Sequence, residues 1–258
     1  MTVELDQKFE ERKLNVCSLS VVIPVYNQEK EISHSINNIK SVIEKLHLSY
    51  EIIVVNDGST DNTVNELKNL KSSYPLKIIS YPKNVGKGYA VKEGILNSKG
   101  EFLIFMDGDL EISSDILHEY IVSLQQTDND IIIGSKYHEQ SIIKIPLRRR
   151  ILSRIFNLLV RTLLPINLMD TQSGLKAGKG DVLRKVFKIM LTKRYAFDVE
   201  MLTVSSLFNC KVGELPIKIN LNCGFKKKEM YKMFVDLLAI SYRFKIIKWY
   251  QRQLKQTS

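Results

Sequence analysis

The sequence predicts an α/β protein, with a mostly parallel sheet flanked by helices and a helical, basic C-terminal elaboration. Three observations predict it. Apolar, strand-like runs alternate with helix-period segments through the first half, the pattern of strand–helix–strand units. Those runs end in polar, turn-forming residues, and open parallel sheets carry ligands at the carboxyl ends of their strands. The second half turns to helical segments rich in Lys and Arg, with no Pro- or Gly-rich linker before them.

The elements follow in order. Residues 18–25 (SLSVVIPV) form the first strand. Residues 29–46 carry Ile32, Ile36, Ile39, Val42, Ile43 and Leu46 at helical spacing. Residues 51–55 (EIIVV) are the second strand and 61–70 the second helix, with Gly58 making the turn and Asp61 capping the helix. A short third strand, 77–80, leads to a helix over 88–97. The run 102–106 (FLIFM) is a buried fourth strand, followed by a helix over 113–125 and a strand over 130–134 (DIIIG). Beyond it, 148–164, 181–190 and 197–208 read as helices, 211–215 as a strand, and 229–255 as one long basic helix.

Composition narrows the class. With 258 residues and 44% apolar content, the chain can bury a sizeable core. Its three cysteines, Cys17, Cys210 and Cys223, lack CxxC spacing, which argues against a zinc site or a disulfide framework. A net charge of +10 calls for an anionic partner: nucleic acid, a membrane face or a phosphorylated substrate. The basic residues are not interleaved with a nucleic-acid-binding motif, so no nucleic-acid partner is expected. No stretch reaches the ~18 unbroken apolar residues of a membrane span. The first residues, MTVELD, are polar and acidic, unlike a signal peptide. The expected location is the cytosol, with peripheral attachment to the cytosolic face of a membrane.

Asp107-Gly108-Asp109 stands at the end of the fourth strand. Two carboxylates that close repel unless a cation lies between them, and hard oxygen donors suit Mg2+ or Mn2+ carrying phosphates. Pro24, Tyr26, Gln28 and Glu29 follow the first strand, where Tyr26 could lie against a base. Asp57 after the second strand is either a turn aspartate or an acceptor for a base N–H. Asn84-Val85-Gly86-Lys87-Gly88 opens the third helix, placing backbone N–H groups and the Lys87 ammonium where an anion could bind.

VVIPVYN, VVNDGSTD, NVGKGYAV and FMDGD, in that order, resemble a family 2 glycosyltransferase of the GT-A fold, over residues 20 to 224 or so. The resemblance implies that Asp57 contacts the base, that Asp107 lies by the ribose and diphosphate, and that Asp109 ligates the metal with Glu111 as a further ligand. Gln28 stands where the family often has Glu, with Glu29 adjacent. Arg149, Ser153, Arg154 and Asn157 are similar to the pattern of the subfamily that makes polyprenyl-phosphate sugars. It implies that Arg149, Ser153 and Lys136 hold a lipid phosphate. Asp170-Thr171-Gln172 and Phe197-Asp198-Val199-Glu200 resemble the dolichyl-phosphate glucosyltransferase branch, which favours a UDP-sugar over GDP-mannose. Asp170, Gln172 and Asp198 are then candidates to face the sugar or acceptor, or else buried structural groups. Lys227 stands where the subfamily carries a basic segment.

These residues divide the chain into an extension (1–17), a transferase domain (18–228) and a terminal amphipathic helix (229–258). Within the domain, 18–135 would serve the nucleotide sugar and 136–228 the acceptor. The expected reaction is inverting transfer of a hexose from UDP-glucose to a polyprenyl (dolichyl) phosphate at a membrane surface. The alternatives are GDP-mannose or another UDP-sugar as donor, or a glycan hydroxyl as acceptor, for which Asp198 would have to act as base.

Overall fold

A computed structural model describes residues 18–71, 76–108, 116–220 and 227–257. The 1–17 extension, Asp109 and Glu111 lie outside the described residues, as does the side chain of Lys227.

A seven-stranded sheet organises the chain, in the order β3-β2-β1-β4-β7-β5-β8. Its strands are β1 (Ser18–Val25), β2 (Ser49–Asn56), β3 (Leu76–Ser80), β4 (Phe102–Phe105), β5 (Ile131–Ser135), β7 (Lys176–Lys179) and β8 (Val212–Pro216). A two-stranded parallel sheet pairs β6 (Ile142–Lys144) with β9 (Lys218–Asn220). β1 pairs in parallel with β2 on one side and β4 on the other. The chain therefore runs outward from β1 to β3 and returns to β4, reversing direction between β1 and β4. At such a reversal the loops after the two strands splay apart and leave a crevice. Tyr26 and Asp107 follow β1 and β4, so both stand at this crevice.

Helices cover both faces, and β4, together with β1 from Val21 to Val25, is accordingly a continuous apolar run rather than an alternating one. On one face lie α1 (Ile32–Glu44), α2 (Thr63–Lys71) and α4 (Leu117–Gln126). The α1 stripe of Ile32, Ile36, Ile39 and Ile43 is fully buried there. On the other lie α3 (Lys87–Leu96), α5 (Leu147–Leu163), α6 (Gly180–Ile189), α7 (Phe197–Leu207), α8 (Lys227–Lys245) and α9 (Trp249–Thr257). Gly94 lets α3 sit directly on β1, since a Cβ there would overlap Val22 Cγ1. Asp61 caps α2 as expected, accepting the Thr63 N–H at 3.0 Å. Cys210 is a free, partly buried thiol that burial pushes up to about 11.

Beyond the β6–β9 pair, which no expected strand covered, the structure departs from the sequence expectations in three places. β7 is antiparallel to both of its neighbours, β4 and β5. Its sequence, KAGK, has no β-branched residue, so its neighbours, not its propensity, make it a strand. The terminal helix is two helices, α8 and α9, broken at Lys248 with φ +50°. The break turns Tyr250 inward until it is fully buried, so this residue belongs to the core and not to a surface. Finally, the apolar residues of α5, expected as a helix over 148–164, divide between two faces. Phe156, Leu159 and Leu163 pack on the core, while Leu152 and Ile155 are exposed together with Leu147, Ile151 and Leu158.

Candidate active site

A cavity of about 570 Å³ opens at the crevice between β1 and β4 and extends toward α5 and α8. Pro24, Tyr26, Gln28, Asp57, Lys87, Asp107 and Gly108 line its sheet side. Asp57 is almost fully buried, and its carboxylate accepts the N–H groups of Val85 (2.8 Å) and Gly86 (2.9 Å). It thus ties the end of β2 to the glycine turn before α3. Gly86 has φ +125°, a conformation side chains rarely adopt, and the Lys193 carbonyl occupies the space where its Cβ would lie. That turn sets Lys87 against Asp107, and the two side chains form an ion pair, each a quarter exposed. Gln28 is wedged against Gly108, and among the described residues its buried Oε1 has no hydrogen-bond partner. Glu29 does not line the cavity. Its carboxylate accepts the Asn62 N–H at 2.9 Å. Gly88 is also behind the wall, packed against Phe197.

The opposite side is built from β5, α5 and the 170–174 loop, with Lys136, Arg149, Ser153, Gln172 and Gly174 in the lining. Lys136 is engaged: its ammonium lies 2.6 Å from Asp170, which is fully buried. Asp170 also accepts the backbone N–H groups of Lys136 (2.9 Å) and Gln172 (3.1 Å). Burial pushes this carboxyl up, but the Lys136 ammonium and these hydrogen bonds outweigh it and hold it below the ordinary carboxylate value. Asp170 therefore shapes the loop from behind the wall. Ser153 accepts a hydrogen bond from the Tyr137 hydroxyl at 3.2 Å. Asn157 is structural: it accepts from Thr171 Oγ1 at 2.7 Å and donates to the Met169 carbonyl, pinning α5 to the 170–174 loop.

The third wall comes from the start of α7 and the loop before it. Asp198 faces the cavity at the first turn of α7. Its Oδ1 lies 2.7 Å from the ammonium of Lys176, which is fully buried in β7. The same ammonium donates to the Ser173 carbonyl and lies 5.8 Å from the Phe105 ring centroid. Burial raises the Asp198 carboxyl, and Lys176 offsets this only in part, with Asp107 opposing. Asp170 and Asp198 thus shift in opposite directions, although each pairs with one lysine. Asp170 accepts two backbone N–H groups that Asp198 lacks, and the Asp107 carboxylate further raises Asp198. Glu200, fully buried two residues further along, accepts the N–H groups of Leu191 (3.0 Å) and Thr192 (2.7 Å), the Tyr250 hydroxyl (2.5 Å) and a hydrogen bond from Arg243 (3.2 Å). It clamps the loop that carries Arg194 and Tyr195, both of which line the cavity.

Sequence reasoning missed Arg194 and the α8 residues Glu229, Lys232 and Met233 as parts of this wall. Arg194 stands three residues before the recognised Phe197–Glu200 segment, and only its neighbourhood could have drawn attention to it. Lys232 was visible only as part of a basic helix face. For a divalent cation, the described residues contain no group of three or more His, Cys, Asp or Glu. Asp107 offers a hard oxygen donor at the cavity, which is the right chemistry for Mg2+ or Mn2+. Its present partner is a flexible lysine that can yield to a cation.

Comparison with known proteins identifies the family and the fold. The model of glycosyl transferase family 2 matches residues 20–187. The chain is 32% identical over 243 residues to the dolichyl-phosphate beta-glucosyltransferase ALG5A of Trichomonas vaginalis, across 90% of this chain and 75% of that protein. It is 32% identical over 257 residues to the dolichyl-phosphate beta-glucosyltransferase of Homo sapiens, across 93% of this chain and 78% of that one. The fold matches glucosyl-3-phosphoglycerate synthase from Mycobacterium tuberculosis, solved with Mn2+, UDP-glucose and phosphoglyceric acid. The TM-score is 0.66 at 18% identity, over 88% of this chain and 79% of that chain.

Proposed function

The chain belongs to glycosyl transferase family 2, and on that premise we propose that it transfers glucose from UDP-glucose to the phosphate of a polyprenyl (dolichyl) lipid, with inversion at the anomeric carbon. It is a glycosyltransferase of the GT-A fold, closely related to dolichyl-phosphate beta-glucosyltransferases. One observation carries the proposal: a single cavity joins Asp57, Lys87 and Asp107 on the sheet side to Arg149 and Ser153 on α5. Donor diphosphate and acceptor phosphate would thus meet in one space.

The donor's base would lie toward Tyr26, Gln28 and Asp57, and its diphosphate toward Lys87 and Asp107. Arg149 and Ser153 would hold the acceptor phosphate, since charge-assisted bonds to phosphate are strong and an arginine can grip two oxygens. Lys136, committed to Asp170, would contribute field more than a free hand. A phosphate oxygen attacks the anomeric carbon; the new carbon–oxygen bond forms as the bond to the diphosphate breaks, and UDP leaves with the electron pair. The acceptor is already anionic, with its second ionisation near ~6, so no general base is required. Asp198, bound to Lys176, would orient a sugar hydroxyl rather than remove a proton. Mg2+ or Mn2+, held by Asp107 and Asp109 with Glu111 as a further ligand, would neutralise charge on the leaving diphosphate.

The surface around the cavity supports a lipid acceptor. The helices α5 and α8 border it and expose Leu147, Ile151, Ile155 and Leu158, and Tyr231, Val235, Leu238 and Tyr242. The α5 helix has four arginines within residues 147–154 and no acid. An apolar face beside basic residues suits the boundary of an anionic membrane. Among the described residues, no helix is long and apolar enough to cross a membrane. The test is an assay with purified protein, Mn2+, UDP-glucose and polyprenyl phosphate in detergent or vesicles. Lipid-linked glucose is expected, with at least a hundredfold less from Asp107→Asn and a raised acceptor KM for Arg149→Ala. No product from a folded protein with any nucleotide sugar would refute the proposal.

A further inference from the structure

The cations lining the cavity differ in how they are engaged. Lys87 pairs with Asp107, Lys136 pairs with Asp170, and Arg149 is also engaged. The guanidinium of Arg194 and the ammonium of Lys232 make no hydrogen bond or ion pair among the described residues. A cation in a concave site that no carboxylate grips directly is held ready for an anion, because the surrounding walls focus its field.

The placement of Arg194 says which anion. Its side-chain stem lies against the glycine turn of the donor side: a Cβ on Gly86 would come 3.0 Å from Arg194 Cγ. The preceding residue is fastened to the same turn, where the Lys193 carbonyl accepts the Tyr89 N–H at 3.1 Å. Glu200 fixes the other end of the loop through Leu191 and Thr192. The following residue, Tyr195, feels the charges of Glu229, Lys87, Asp107 and Asp57, so the loop bridges α8 and the donor side. Asp236 of α8 senses Arg194 as its strongest charged neighbour yet forms no ion pair with it.

We propose that Arg194 binds the diphosphate of the nucleotide donor, with Lys232 of α8 adding charge across the cavity mouth. A guanidinium can hold two phosphoryl oxygens at once, which a lysine at this position could not do. The arginine stabilises the charge that accumulates as the diphosphate departs. This rests on a nucleoside diphosphate being the donor.

The experiment compares binding of UDP and of uridine, at constant Mn2+, to wild type, Arg194→Ala and Arg194→Lys by calorimetry. Arg194→Ala is expected to weaken UDP about ten- to hundredfold while leaving uridine within about threefold, with Arg194→Lys recovering part of the loss. Unchanged UDP affinity overturns the proposal, and so does an equal loss for both ligands. A raised KM for a prenyl phosphate with unchanged UDP affinity would move Arg194 to the acceptor side and also overturns it. Should Arg194→Ala not fold, Arg194→Lys decides by the same ratio. Wild-type protein that fails to bind UDP would remove the donor reading itself, a result distinct from a variant that binds as tightly as wild type.

Discussion

Replacing Lys176 with methionine tests how the third wall of the cavity is held. Lys176 is fully buried and Asp198 is nine-tenths buried, so the carboxylate left behind would have neither a cation nor much water. Removing one partner of a buried pair costs about 3–5 kcal/mol. The Ser173 carbonyl would lose its donor and the Phe105 ring its cation at the same time. For a chain of this size about 1 kcal/mol moves Tm by roughly 2–4 °C, so a fall of roughly 6–20 °C is expected at neutral pH. The double variant Lys176→Met/Asp198→Leu should recover most of it, because a buried pair exchanged for apolar groups of similar volume is close to neutral. The loss should also depend on pH. Burial raises the folded-state carboxyl of Asp198 above its unfolded value of 3.8, so ionising it opposes folding as pH rises through the raised value. Without Lys176 that opposition is unrelieved, and the gap to wild type should be wider at pH 8 than at pH 5. Thermal and urea unfolding followed by circular dichroism would measure both. A Lys176→Met protein within about 1 kcal/mol of wild type, or a gap that does not narrow in acid, would refute the reasoning.

The remaining predictions concern the other supports. Asp170 has a depressed folded-state carboxyl, so its contribution is complete above the unfolded value of 3.8 and is lost as pH falls through the depressed one. The urea midpoint of wild type should therefore fall more steeply between pH 5 and pH 2 than that of Asp170→Asn. Tyr250→Phe removes hydrogen bonds to Glu200 and Arg243 and should cost about 1–3 kcal/mol in urea unfolding, whereas a surface tyrosine would cost almost nothing. Gly94→Ala should lower stability by about 1–3 kcal/mol despite the better helix propensity of alanine, because the new methyl overlaps Val22. Its UDP affinity by calorimetry should stay at the wild-type value.

Where local physics was sufficient, the residues declared the structure in advance. The isoleucines of α1 recur at helical spacing because one stripe must meet the sheet, and that spacing is visible without a fold. The same holds for the apolar β4, for the Asp61 cap, and for Asp107 after a strand end. Residues 21–25 and 102–106 were legible because strands buried on both faces read as continuous apolar runs.

What remained hidden depends on partners distant in sequence. β7 is a strand only because β4 and β5 flank it. Lys176 and Asp198 are 22 residues apart, and Glu200 meets Tyr250 across 50, so neither pairing leaves a periodic trace. Lys136 looked like a free phosphate ligand until Asp170 was found beneath it, and Arg194 had no motif to mark it. Sequence alone determined the strands β1 to β5 with the helices between them, the crevice that Asp107 borders and the basic character of the second half. Tertiary packing alone decided which cations are already neutralised and which are left for a ligand, because charge compensation is a property of proximity in space and not of neighbours along the chain.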